Sequence, residues 1–298
     1  MRAQLRGKMT ITILDGGMGG ELQARLPGAG RGLWSARALV DAPDIVVGLH
    51  KEYIDAGARV IITNTYSTIP SYLGKENLAG QYEAMTALGG QLARRAADES
   101  GQSVTVAGSL PPLSESYRAD LVPAHEVAAP IYANLVQALS PHVDIFLCET
   151  MSTAAEAVNA ATAGVASGKP VYISWTLNET PGAGLRSGES VTDAFNAVAH
   201  LPIDSFLFNC TYPEAIPAAL QEMKSLTDKP LGCYPNRSNK VDKAWTLDNE
   251  IVTGRRTDLT RDYFVAMSKQ CIDAGATIVG GCCGIGPDDI MALAEEVA

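Results

Sequence analysis

The sequence predicts a (β/α)8 TIM barrel of the α/β class, and three observations predict it. Short apolar, β-rich runs alternate with longer amphipathic segments along the whole chain, eight of each. The strand candidates are apolar through their middles instead of alternating, as parallel strands covered on both faces must be. No shift of composition, low-complexity linker or block of charge divides the 298 residues, so residues 1–298 are expected to form one barrel domain. A doubly wound open sheet is the competing arrangement for the same alternation.

The elements justify this reading in order. Strands are expected at Thr10–Leu14, Val60–Asn64, Val104–Ala107, Val143–Cys148, Val171–Thr176, Ser205–Asn209, Leu231–Tyr234 and Thr277–Val279. Each is short and bounded by Gly, Pro or polar residues. Helices are expected at Asp44–Ala56, Gln81–Glu99, His125–Leu139, Thr153–Ala166, Val191–Leu201, Pro213–Leu226, Arg261–Ala274 and Pro287–Val297. In the first, Ile45, Val46, Leu49, Tyr53 and Ile54 recur at helical spacing. Ser152, Thr192 and Thr260 are the expected N-caps, and Gly57, Gly101, Gly168 and Gly275 stand just past helix ends. Two loops exceed what a bare barrel needs: Gly16 to Asp41 after strand 1, and Asn236 to Thr260 after strand 7. Both leave the strand ends at which barrel enzymes build their sites. The second is long enough for a lid or a dimer arm, so a homo-oligomer is among the expectations.

Composition excludes several classes. A net charge of −10 argues against nucleic acid, whose phosphates need a basic face. No apolar stretch approaches the ~20 residues that span a bilayer, so no membrane partner is expected. The N-terminal apolar run is too short for a signal peptide, which makes the cytoplasm the expected location. Six cysteines in so long a chain are not a disulfide scaffold, so their spacing is read for metal or catalysis.

Gly280-Gly281-Cys282-Cys283-Gly284 follows strand 8. Adjacent strand residues point to opposite faces, but flanking glycines let the chain turn and aim both sulfurs at one point. Alone, the pair reads as a Gly-rich turn with two small residues. It is not alone, because Asn209-Cys210 ends strand 6 at the same rim. Cys210 and Cys282 are 72 residues apart, the span of two β/α units, so three thiolates can converge. Three thiolates and no fourth protein ligand describe a catalytic zinc with one open position. Cys271 lies in a helix and should face away, whereas Cys148 and Cys233 leave a four-cysteine site open.

The other strand tips carry Asp15-Gly16-Gly17, Thr63-Asn64, Gly108-Ser109 and Glu149-Thr150. Carboxylates and hydroxyls at one mouth suit a zwitterionic amino acid: Asp15 and Glu149 for its ammonium, and N–H groups near Gly16 with the Thr63 or Ser109 hydroxyls for its carboxylate. The rival reading is that strand ends are polar because they meet solvent. Competing motifs fail, since Leu22 breaks the dinucleotide spacing and no phosphate loop or nucleophile elbow occurs. The histidines, His50, His125, His142 and His200, all fall in or beside helices, which disfavours a Ser/His hydrolase.

These residues together resemble the homocysteine S-methyltransferase family of zinc-dependent barrels. The marks are LDGGMGGEL (Leu14–Leu22), LWSA (Leu33–Ala36), TNTY (Thr63–Tyr66), GSLPP (Gly108–Pro112), ET (Glu149–Thr150), NC (Asn209–Cys210), YPN (Tyr234–Asn236) and GGCCG (Gly280–Gly284). The resemblance implies Cys210, Cys282 and Cys283 as ligands of Zn2+, with Asp15, Thr63 and Glu149 holding homocysteine and Asn209 supporting the site. It implies methyl transfer from a small-molecule sulfonium, S-methylmethionine or S-adenosylmethionine, to the zinc-bound homocysteine thiolate, giving methionine. Trp34, Tyr66, Trp175 and Tyr234 are the aromatic candidates for holding the sulfonium by cation–π contact. Betaine or another methyl donor, a different thiol or selenol acceptor, and a zinc-binding barrel without methyl transfer are the alternatives. One departure stands out: YPN usually continues into Ser-Gly-Glu, and this chain reads Arg237-Ser238-Asn239.

Overall fold

The computed structural model describes residues 10–26, 33, 35–239 and 254–297. Eight strands, β1 (Thr12–Ile13), β2 (Val60–Ile62), β3 (Thr105–Leu110), β4 (Ile145–Met151), β5 (Val171–Trp175), β6 (Ser205–Asn209), β7 (Leu231–Tyr234) and β8 (Ala276–Val279), form one parallel sheet with sequential neighbours paired and β1 beside β8. The ends of the sheet meet as well. Leu14 bridges Val60 in parallel, and the Asp15 N–H donates to the Val60 carbonyl at 3.0 Å. This closure makes the arrangement a (β/α)8 barrel and excludes the open doubly wound sheet.

Helices α1 (Met18–Arg25), α2 (Ala36–Asp41), α3 (Pro43–Asp55), α4 (Pro70–Leu73), α5 (Tyr82–Glu99), α6 (His125–Leu139), α7 (Ala154–Ala166), α8 (Val191–Val198), α9 (Ile216–Lys224), α10 (Arg261–Asp273) and α11 (Pro287–Val297) cover it. Their apolar faces and the outward strand residues form the main core, which includes Tyr53, Phe146, Ile173, Trp175 and Phe208. A smaller cluster of Leu14, Val60, Ala107, Ile145, Leu147, Leu207, Tyr234 and Ile278 packs separately from it. The two clusters take alternate residues along the strands, so the smaller one is the barrel interior. Among the described residues no helix is long and apolar enough to cross a membrane.

Four differences from the sequence reading have physical causes. The segment from Gly16 to Asp41 is not all loop, because it contains α1 and α2. Gly19 and Gly20 weaken the helical signal of α1, which is held instead by buried Leu22 and by an Arg25–Glu52 ion pair at 2.8 Å. The N-cap of α7 is Thr153 and not Ser152: the Thr153 hydroxyl accepts from the Glu156 N–H, while the Ser152 N–H donates to the Glu156 carboxylate. The N-cap of α8 is Ser190, because the Thr192 hydroxyl is drawn to Glu222 on α9 at 2.8 Å. β4 runs on to Met151 through a register shift after Cys148. The Thr260 cap and the positive φ at Gly57, Gly101, Gly168 and Gly275 match expectation.

Candidate metal and substrate site

The sulfurs of Cys210, Cys282 and Cys283 converge at the C-terminal mouth of the barrel, all within 4.8 Å of one another. Cys283 Sγ lies 4.0 Å from each of the other two, and Cys210 and Cys282 are paired as a disulfide. Metal–sulfur bonds of ~2.3 Å in a tetrahedron place ligand sulfurs about 3.8 Å apart, close to the spacing at Cys283. The donor set therefore suits a thiophilic divalent ion once the pair is reduced, because metal ligation needs thiolates. No fourth cysteine joins the group among the described residues. Cys148 faces the outer core, and Cys233 is a free thiol hydrogen-bonded to Cys271 of α10.

Local backbone strain aims these sulfurs. Cys210 has φ +50° and Thr150, at the matching end of β4, has φ +60°, which for a β-branched residue is costly. Asn209 holds both strand ends. Its Oδ1 accepts from the Thr150 N–H at 2.9 Å and the Ser174 hydroxyl at 2.7 Å, and its Nδ2 donates to the Thr150 hydroxyl at 2.8 Å. The expected glycine turn is also present: Gly284 has φ +80°, and the Cys282 N–H donates to the Pro235 carbonyl at 2.8 Å.

Both predicted carboxylates are buried at this mouth. Asp15 Oδ2 accepts from the Ile62 N–H at 2.8 Å, while Oδ1 is buried with no partner. Burial, followed by the field of Glu149, raises the Asp15 pKa well above its ordinary range. Alternation along β4, with Leu147 inward and Cys148 outward, turns Glu149 into the mouth, where Oε1 accepts from the Ser109 hydroxyl at 2.5 Å and Oε2 from the Tyr234 hydroxyl at 3.5 Å. Burial pushes its pKa up to about 7 against those two bonds. A buried carboxylate oxygen with no donor, next to a carboxyl that resists ionising, is a cation-binding arrangement.

The remaining predicted residues divide. Gly16 lies where a Cβ would meet the Ile285 carbonyl and the Tyr53 ring, so only glycine fits. The Thr63 hydroxyl accepts from the Ser109 N–H at 3.0 Å and bonds the Thr65 hydroxyl at 2.8 Å. The Asn64 amide donates to the Ser35 carbonyl at 3.0 Å, bracing the end of β2 against the start of α2. Tyr234 stands inside the barrel against Glu149, and Tyr66 bonds Ser116 at 2.7 Å. Trp34 lies outside the described residues. Trp175 is not at the mouth: it is fully buried in the outer core, stacked 6.0 Å from Phe206, because alternation along β5 sends Ser174 inward and Trp175 outward. His50 on α3 is buried with neither ring nitrogen bonded, and His125 bonds Asn159 at 2.7 Å, both on outer helices.

Sequence reasoning missed two groups at the mouth. Arg237, the departure after YPN, pairs with Asp289 of α11 at 2.9 Å, and its own N–H donates to the Cys283 carbonyl at 2.8 Å. Arg186 and Glu179, in the loop after β5, form an ion pair at 2.6 Å beneath Tyr117. The first had a signal in the departure itself; charged loop residues with no motif gave none for the second.

A parallel barrel that gathers three cysteine sulfurs and two buried carboxyls at one mouth has the layout of a barrel enzyme whose site could hold a thiophilic metal. The chain belongs to the homocysteine S-methyltransferase family, whose model matches residues 12–297. A homocysteine S-methyltransferase of Escherichia coli strain K12 is 32% identical, over 97% of this chain and 96% of its own length. The solved homocysteine methyltransferase MmuM of Escherichia coli superposes in its metallated form with a TM-score of 0.81 at 29% identity, covering 99% of both chains. Its oxidized form superposes with a TM-score of 0.80 at 30% identity over 98% of each.

Proposed function

We propose that this chain transfers a methyl group from a sulfonium donor, S-methylmethionine or S-adenosylmethionine, to the thiol of L-homocysteine, forming methionine, and that Cys210, Cys282 and Cys283 hold a zinc ion for that reaction. The observation that carries the reading is the meeting of three sulfurs with the unpartnered Asp15 oxygen and the buried Glu149 carboxyl. A zinc ion held by three thiolates supplies an open position that draws the proton off an incoming thiol near neutral pH.

The protein's own residues orient the reactants. Asp15 Oδ1 and Glu149 take the homocysteine ammonium, whose charge compensates two buried carboxyls that burial holds toward the neutral form, Asp15 further through the field of Glu149. Ser109 and Tyr234 hold the Glu149 carboxyl in place, and Asn209 fixes the backbone on both sides of the mouth. In the transfer a donor S–CH3 bond breaks, a new S–CH3 bond forms on homocysteine, and the donor leaves as a thioether. An anionic sulfur meeting a cationic sulfonium loses charge on the way to the transition state, so the water-poor mouth favours it.

The test is methionine formation by metal-loaded, reduced enzyme from homocysteine and a panel of S-methylmethionine, S-adenosylmethionine and betaine, read by mass spectrometry alongside metal content. Turnover with a sulfonium, lost in Cys283→Ala together with about one equivalent of zinc, is expected. Turnover with betaine alone, or none with any donor, refutes the reading.

A further inference from the structure

The loop after β5 carries a charged pair that the homocysteine reading does not use. Arg186 and Glu179 have side chains only 12% and 14% exposed. The guanidinium is fixed on three sides. Nη1 donates to Glu179 at 2.6 Å, Nε to the Thr176 hydroxyl at 3.4 Å, and the group lies 4.6 Å from the centre of the Tyr117 ring. Nη2 makes no hydrogen bond to any described residue.

This open edge stands beside the thiol cluster. The Thr176 hydroxyl that accepts from Arg186 donates to the Cys210 carbonyl at 3.2 Å. The Tyr117 hydroxyl bonds Asn236 and lies within the fields of both Cys283 and Arg186. The loop does not need the ion pair to keep its shape. Leu177 and Leu185 bridge antiparallel, the Asn178 N–H donates to the Gly184 carbonyl at 3.0 Å, and the Leu185 N–H donates to the Glu189 carbonyl at 2.9 Å. A poorly exposed ion pair is at best a weak stabiliser, so a pair on an already pinned loop calls for another use.

We infer that the free edge of Arg186 is the subsite for the donor's carboxylate, which makes the donor a sulfonium carrying a carboxylate near its reacting sulfur. The inference rests on the methyl-transfer reading above. A bare guanidinium would repel a sulfonium, and Glu179 cancels that repulsion while leaving two N–H directions for an anion. The planar fork also fits a carboxylate better than an ammonium would. Arg186 thus sorts donors by their acid group, while homocysteine stays with Asp15 and Glu149.

The experiment compares S-methylmethionine with its α-carboxamide, which keeps the sulfonium and the ammonium and lacks the acid. Wild-type enzyme is expected to prefer the acid by roughly 10- to 100-fold in kcat/KM, the range of a charged hydrogen bond. In Arg186→Ala/Glu179→Gln, which leaves no orphaned carboxylate, the preference falls toward one, the homocysteine KM holds, and Arg186→Lys recovers part of it. A purely structural role lowers both donors alike and preserves the ratio, which overturns the inference and leaves the methyl-transfer reading standing. A wild type that turns over neither S-methylmethionine nor S-adenosylmethionine overturns both.

Discussion

Glu149→Gln separates the cost of the site from its use. In the metal-free protein the carboxyl is 6% exposed, and burial moves its pKa from 4.5 to about 7. A folded value above the unfolded one means the native state holds the proton more tightly. The associated stability is complete below about pH 4.5 and is lost as pH rises through 7. At about 1.4 kcal/mol per pKa unit, ionising Glu149 costs the fold roughly 3 kcal/mol at pH 8. The glutamine amide cannot ionise, and Ser109 and Tyr234 can each turn to bond it. The variant should match wild type at pH 4.5 and exceed it by roughly 3 kcal/mol at pH 8, read from urea midpoints at both pH values. Titration of groups remote from Glu149 cancels in the difference; Asp15, which feels the Glu149 charge, shifts with it. In the metal-loaded enzyme the same variant should lose at least about tenfold in homocysteine affinity by calorimetry, because the ammonium loses a charged partner. A stability difference that is the same at both pH values would refute the desolvation argument. Unchanged homocysteine binding would refute the ammonium role.

Asn209→Ala should destabilise by about 3 kcal/mol in urea, since it orphans the Thr150 N–H, takes from the Ser174 hydroxyl one of its two partners and frees two strained strand ends; a loss under about 0.5 kcal/mol would show that the strain is not held there. His50→Leu should flatten the acid limb of stability. Burial lowers the His50 pKa from 6.5 to about 3, so wild type loses about 1.4 kcal/mol per pH unit as pH falls below 6.5. Identical slopes in the two proteins between pH 6.5 and 5 would rule this out. Arg237→Ala removes the tie between the Cys283 turn and Asp289, and zinc affinity should drop about tenfold in competition with a chromophoric chelator. Arg94→Ala, which breaks the Arg94–Asp144 pair away from the thiols, is the control that should leave affinity alone.

Much of the barrel was legible because its strands announce themselves by burial on both faces. Ser205–Asn209 and Leu231–Tyr234 run as expected, as do the helices His125–Leu139 and Pro287–Val297. The thiol cluster was legible for a related reason: parallel strands end at one rim, so Cys210 and Cys282 have to approach once the strand count is right. What stayed hidden depends on side-chain direction and on partners remote in sequence. Trp175 reads as a ring near a strand end, and only the in–out alternation of β5 decides that it belongs to the core. Ser109 reads as free to bind a ligand, yet its hydroxyl is spent on Glu149, 40 residues away. Thr153 and Ser190 win their caps from Ser152 and Thr192 by one and two residues, a margin that propensity cannot resolve.

The irregularity in β4 connects these cases. Regular alternation sends Leu147 and Glu149 inward and Cys148 outward, and the shift that follows leaves Met151 in the outer core as well. The register shift and the positive φ of Thr150 spend backbone energy just beyond Glu149, and Asn209 returns part of that energy through three hydrogen bonds. The residue that makes those bonds immediately precedes Cys210, itself at positive φ. The strain beside the carboxyl, at Thr150, and the strain at Cys210 are therefore held by one side chain. Carboxyl and thiol should loosen together when Asn209 is removed, and neither should loosen when the outer core around Trp175 is trimmed.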